Sequence, residues 1–197
     1  MGRKKKYDRD IVLTKSMDNF RRHGYASTST QMLVDDLGVN RFSLYAEFGN
    51  KQGLFEAALE RYNDEVIRPK FEPLYDESAG VEEIRRLLKF YGSASETPAS
   101  GRGCLLCNTA VEFGPTDPTD TNRVQEYFQY LAGAFYNALS NGQEKGELLS
   151  SIDVKKESDF FTSSVLGLFV LIRAKAPQSM LMNAADMSIR HLECLCS

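Results

Sequence analysis

No apolar run in this chain is long enough to cross a bilayer. The longest, Val165 to Ile172, falls far short of the roughly 20 residues that a membrane-spanning helix needs. The basic run Arg3-Lys4-Lys5-Lys6 is followed by no apolar stretch, so the start does not read as a signal peptide. Cysteine is sparse, at four residues, and without a secretory signal those four are expected as free thiols in a reducing cytosol. A cytoplasmic protein with no membrane partner is therefore expected. Strand-like alternation is missing, which excludes sheet-based folds, and there is neither an internal repeat nor a low-complexity tract. No catalytic triad or phosphate-binding loop is readable, and histidine occurs only at His23 and His191. An enzyme is not expected, nor is a cofactor.

What the chain has is helical patterning and a lopsided charge. It is 197 residues long, 42% hydrophobic and 26% charged, the balance of an ordinary globular protein of one large or two small domains. The net charge of -3 conceals two opposite halves. Residues 1–51 carry ten Lys/Arg against six Asp/Glu, and residues 52–197 carry fourteen against twenty-one. A basic head on an acidic body places a polyanion at the N-terminus, with Arg3–Lys6 as an arm along its phosphates. About nine helices follow from three-four spacing of apolar residues and from Gly and Pro stops. Val12, Leu13, Ser16, Met17 and Phe20 line the first, which Gly24 ends. Lys51 opens a long one, stopped by Pro69 and Pro73. Others are expected after Gly80, from Gly103 to about Phe113, beyond the Asp117-Pro118 cap, over about 154–175 and over 178–195, with breaks at Asn141-Gly142 and Gly146. The fold is expected to be all-α, with domains at 1–52 and 53–197.

The most informative segment is Gly24 to Lys51. Thr28 and Ser29 cap a helix that runs to Leu37, Gly38 supplies a left-handed stop, and Asn40 caps a second short helix from about Arg41 to Phe48. Leu44 and Phe48 lie four apart on its inner face. Asn40, Arg41, Phe42, Ser43 and Glu47 form a row on the other, suited to the base edges of a major groove. This is a helix-turn-helix. Thr28, Ser29, Tyr45 and Lys51 are placed to contact phosphates. Arg41, Phe42 and Gln31 are candidates for reading guanine, a thymine methyl and adenine.

The pattern Phe20…Gly24-Tyr25…Thr28-Ser29…Gly38-Val39-Asn40…Leu44-Tyr45…Phe48…Lys51…Leu54-Phe55 resembles the N-terminal domain of TetR-family transcriptional regulators over residues 9–60. The resemblance implies an all-helical homodimer with three N-terminal DNA-binding helices and a larger effector and dimerisation domain. Four positions depart from the family pattern. Val34 replaces a small Ala, Asn40 a Ser or Thr, Phe42 a small residue, and Glu47 a common His.

In the second half, broad apolar faces at Phe161, Val165, Leu168 and Ile172 and at Leu181, Ala185 and Leu192 are expected to pair two subunits in a four-helix bundle, with core of the single chain as the alternative. The resemblance also implies an effector pocket among the middle helices. Tyr91, Cys107, Phe113, Tyr127, Phe128 and Phe135 are its candidate lining, although each of them taken singly reads first as core packing, and Glu112 or Arg123 is a candidate polar anchor. Cys104 and Cys107 have the C-x-x-C spacing of metal and redox sites, but no set of four ligands is close in sequence, so no metal is expected. Buried, inert thiols are the leading reading for the pair. The whole reads as a ligand-responsive regulator of a palindromic operator in double-stranded DNA, released by a small apolar or aromatic effector. A thiol-based redox or electrophile sensor is the alternative, and a C-x-x-C oxidoreductase a weaker one.

Overall fold

The computed structural model describes residues 7–94, 100–114 and 121–197, and it is helical. The basic run Arg3–Lys6 and the Asp117-Pro118 cap lie outside the described residues. Nine α-helices of two turns or more occur among the described residues, together with one single-turn helix. A lone antiparallel bridge between Leu148 and Cys196 is the β pairing found there.

The chain divides after Ile67 into two compact units. The first contains α1 (Arg9–His23), α2 (Thr30–Leu37), α3 (Arg41–Phe48) and α4 (Lys51–Tyr62), closed by a π-helical turn at Asn63–Ile67. Asp8 caps α1, its side chain accepting from the Asp10 and Ile11 amides, and Gly24 ends it with φ of 80°. The stripe Val12, Leu13, Ser16, Met17 and Phe20 is buried as expected. Phe20 meets Phe55 of α4 edge-on at 4.9 Å between centroids, and Tyr25 lies 4.8 Å from the same ring. The division falls beyond the expected break after residue 52 because α4 buries Leu54, Phe55, Ala58, Leu59 and Tyr62 and packs on α1 and α3.

The second unit begins with the one-turn helix α5 (Arg68–Phe71) and a 3₁₀ turn at Glu72–Tyr75. Five long helices follow: α6 (Val81–Gly92), α7 (Leu105–Phe113), α8 (Thr121–Glu144), α9 (Val154–Arg173) and α10 (Gln178–Cys194). Helix α6 lies chiefly on α10, and α8 on α9. At the first crossing a Cβ placed on Gly92 would sit 2.6 Å from the Cβ of Ala185, so the missing side chain is what allows the approach. The segment leading into α6 is held by side chains from α8 and the turn after it. Asn137 donates to the Leu74 carbonyl (2.8 Å), Asn141 to that of Asp76 (3.1 Å) and Lys145 to that of Ser78 (2.6 Å). Glu147 accepts from the Val81 amide at 3.1 Å, satisfying a donor at the start of α6. The expected break at Asn141-Gly142 does not occur. Helix α8 runs through it to Glu144, with Asn141 anchored sideways and Gly142 buried, and the chain turns at Gly146 with φ of 75°.

Candidate nucleic-acid interface

Helices α2 and α3 owe their short lengths to caps at both ends. Ser29 accepts from the Met32 amide at 3.1 Å, and Gly38, at φ of 67°, turns the chain. Asn40 then accepts from the Ser43 amide at 2.8 Å, starting α3. Leu44 is the residue that α3 buries, and it sets which face points inward. The opposite face is open. Arg41 and Asn40 are exposed, and Phe42 keeps 85% of its surface in water, unusual for so large an apolar ring unless a partner covers it. The guanidinium of Arg41 lies 5.6 Å over the Tyr45 ring, and the Tyr45 hydroxyl is 2.6 Å from that of Thr30, tying α3 to α2. Thr30 is a residue the sequence reading missed. Only its three-dimensional proximity to Tyr45, fifteen positions on, reveals it.

Several other expected contacts are placed as follows. Gln31 is exposed on α2, where its amide donates to Asp35 at 2.8 Å. The Lys51 ammonium sits 4.2 Å over the Tyr25 ring at the start of α4. Thr28 is a correction. It is fully buried and its hydroxyl donates to the Gly24 carbonyl, so it closes the turn after α1 instead of facing a phosphate. Ser29 alone caps α2. Phe48 is half-buried, with the Arg9 guanidinium 5.6 Å above its ring. Glu47, unfavourable on paper beside phosphates, is paired: Arg9 Nε is 3.4 Å away.

Comparison with known proteins agrees with this geometry. Residues 12–58 match the family described as bacterial regulatory proteins, tetR family, and residues 80–187 match the tetracyclin repressor-like C-terminal domain. The chain belongs to the TetR family. Among its relatives, the repressor ComR of Escherichia coli (strain K12) is 31% identical over 96% of this chain and 90% of its own length. An uncharacterised regulator, YezE of Bacillus subtilis (strain 168), is 29% identical over 98% of this chain and all of its own. A cysteine mutant of the TetR-family regulator CifR, solved with 26-base-pair operator DNA, superimposes with a TM-score of 0.85 at 25% identity, covering 96% of this chain and 98% of that one. TetR-family membership makes this a DNA-binding transcriptional regulator, and among the described residues no helix is long and apolar enough to cross a membrane.

The TetR-type C-terminal unit places the remaining candidates. Tyr91, Tyr127 and Phe135 are buried, Cys107 is buried on α7, and Phe113 and Phe128 are half-buried. Tyr91 meets Phe169 edge-on at 4.8 Å, Phe135 lies 6.1 Å from Phe71, and Tyr127 is 5.6 Å from Phe128. Burial raises the Tyr91 hydroxyl pKa well above its usual value. Glu112 is exposed and Arg123 half-buried. An open groove of about 290 Å³ between Pro69, Leu74, Leu87 and Phe90 is lined by none of the six expected residues. Cys104 Sγ lies 3.2 Å from the Tyr127 hydroxyl. Burial, with a smaller contribution from Cys104, pushes the Cys107 thiol up to about 12, so at neutral pH it is protonated.

The expected subunit contacts require a correction. Phe161, Val165, Leu168, Ile172, Leu181, Ala185 and Leu192 are buried within the single chain, where they form its core. The periodicity was legible, but those stripes point inward because α9 and α10 must cover α8 and α6 first. The opposite stripes remain open: Phe160, Ser163, Gly167 and Val170 on α9, and Met180, Asn183 and Met187 on α10.

Proposed function

We propose that the protein is a homodimeric repressor that leaves a palindromic operator when a small apolar or aromatic molecule binds its C-terminal unit. The observation that carries the DNA half is α3, whose inner face is held by Leu44 while Arg41 and Phe42 stand in water. In this reading Arg41, Phe42 and Gln31 touch base edges. Asn40 and Ser43 lie beside them on the same row, Ser29, Tyr45 and Lys51 lie along the backbone, and Thr28 supports them from inside. Two copies of α3 enter successive major grooves about 34–36 Å apart.

Repression draws support from relatives such as ComR, described as a transcriptional repressor. Dimerisation is assigned to the open stripes of α9 and α10. A Cβ at Gly167 would meet nothing within 4 Å in the chain itself, which leaves room for a partner helix to come close. The effector reading draws on the match to the TetR-type C-terminal domain and on the aromatic cluster around Tyr91, Tyr127 and Phe135. Release requires that the effector bind the DNA-incompetent state more tightly, since equal affinity for both states shifts nothing. The high thiol pKa of Cys107 favours packing over redox or electrophile sensing.

The test is selection of bound duplexes from a random pool by wild type and by the Arg41→Ala, Phe42→Ala and Gln31→Ala variants. Each lost base contact is expected to relax preference at one position by roughly 1–3 kcal/mol. Unchanged preference in all three variants refutes the assignment.

A further inference from the structure

Glu47, which replaces a residue type common in the family, meets the two residues that flank the cap of α1. The single proton of the Tyr7 hydroxyl is shared between the Ser43 carbonyl at 3.1 Å and Glu47 Oε2 at 3.4 Å. Arg9 Nε lies 3.4 Å from Glu47 Oε1, and the Arg9 guanidinium covers the Phe48 ring at 5.6 Å. The Glu47 side chain is only 15% exposed, so its carboxylate is largely withdrawn from water and turned toward Tyr7 and Arg9. Asp8, between them, is committed to capping α1, which fixes the direction in which its two neighbours reach.

All of these contacts fall on α3, between Ser43 and Phe48. The helix has eight residues, too few to be stable or rigidly oriented alone, and buries one of them, Leu44. Its tilt therefore depends on what holds its flanks. The Thr30–Tyr45 contact holds one, and Tyr7 with Arg9 holds another.

We propose that Tyr7, Arg9 and Glu47 are positioning residues that set the angle of α3 in the major groove, so that base preference depends on side chains that touch no base. The proposal rests on α3 being the reading helix. Glu47 takes no part in contacting DNA. Its charge is matched by Arg9, and its function is to hold the helix by that pair and by the Tyr7 hydroxyl.

Tyr7→Phe removes only the hydroxyl, and Glu47→Gln keeps an acceptor for Tyr7 while losing the ion pair. Each is to be assayed, with the double variant and with Arg41→Ala, against a selected operator and a scrambled duplex across a salt series, alongside thermal melting. The expected result is a fall of about threefold to tenfold in the operator-to-scrambled affinity ratio for each single variant. The double variant should lose less than the product of the two. Salt slope should stay close to wild type, because no phosphate contact is lost, and melting temperature should fall by no more than a few degrees, as one intrachain contact is removed. An equal loss on both duplexes, a drop in salt slope, or an unchanged ratio overturns the proposal. If Arg41→Ala also leaves the ratio unchanged, the failure lies with α3 as the reading helix. If Arg41→Ala lowers it while Tyr7→Phe and Glu47→Gln do not, only the brace is refuted.

Discussion

Two faces of the same helices make opposite predictions, and substituting each face separates them. Val170 and Met187 are 49% and 62% exposed on the open stripes of α9 and α10. Fully burying such a side chain contributes about 1.5–3 kcal/mol, and the half still in water about 1 kcal/mol. In a two-fold interface each position occurs twice, so the pair together supplies about 4 kcal/mol, or roughly a thousandfold in the dimer Kd. Replacing both with Glu removes that contribution and places charges in the interface. Val170→Glu/Met187→Glu is thus expected to give a folded monomer with wild-type helicity that no longer retains operator DNA. Leu168→Ala, on the inner stripe, is expected to cost about 2–5 kcal/mol of chain stability. Gly167→Ala separates the readings further. It gains about 1 kcal/mol of helix propensity and clashes with nothing in its own chain, yet is expected to weaken the dimer. Sedimentation velocity over a dilution series, with circular-dichroism melts, reads both quantities. A Val170→Glu/Met187→Glu protein with an unchanged dimer constant refutes the reasoning.

Four further expectations concern other sites. Gly92→Ala drives a methyl group into Ala185, and a loss of about 1–3 kcal/mol is expected in denaturant titration. Lys51→Ala should weaken every duplex alike and lower the salt slope by about one phosphate contact, whereas Thr28→Val should lower melting temperature and leave that slope unchanged. With its thiol pushed up to about 12, Cys107 should resist alkylation at pH 8 in the folded protein, and Cys104→Ser/Cys107→Ser should respond to peroxide and quinone as wild type does. Asp153, the cap of α9, has its carboxyl held below the usual range, first by the Lys156 side chain. Its contribution is complete above the ordinary carboxylate pKa and lost as pH falls through the lower folded value, so Asp153→Asn should flatten that acid limb of the melting curve.

Local signals in the chain were strong wherever a short-range rule governs. The caps at Ser29 and Asn40 and the left-handed stop at Gly38 are decided within four residues and were readable, whereas the Asp8 cap of α1 obeys the same local rule and was not picked out. Apolar spacing identified the inner stripes of α9 and α10 but not what covers them, because periodicity reports a buried face without naming the neighbour. The residues facing outward there mix Phe160, Val170, Met180 and Met187 with Ser163, Gly167 and Asn183, so their apolar pattern is broken. Thr28 shows a similar limit: a hydroxyl beside a helix start satisfies the same rule whether it bonds the turn behind it or a phosphate ahead. Glu47 stood in the row expected to face bases, and its pairing was hidden because Arg9 is distant in sequence and meets it only after α1 folds against the motif.

Helix α6 is fastened at its beginning by Glu147 and at its end by the contact of Gly92 with Ala185. It is roughly 18 Å long at 1.5 Å per residue. A tilt of about 5° about Val81 would carry its far end about 1.5 Å, well beyond what a methyl group already at van der Waals distance can absorb. Within its unit, then, α6 acts as a strut. Tilting its far end toward α10 by even a small angle therefore requires α10 to move with it.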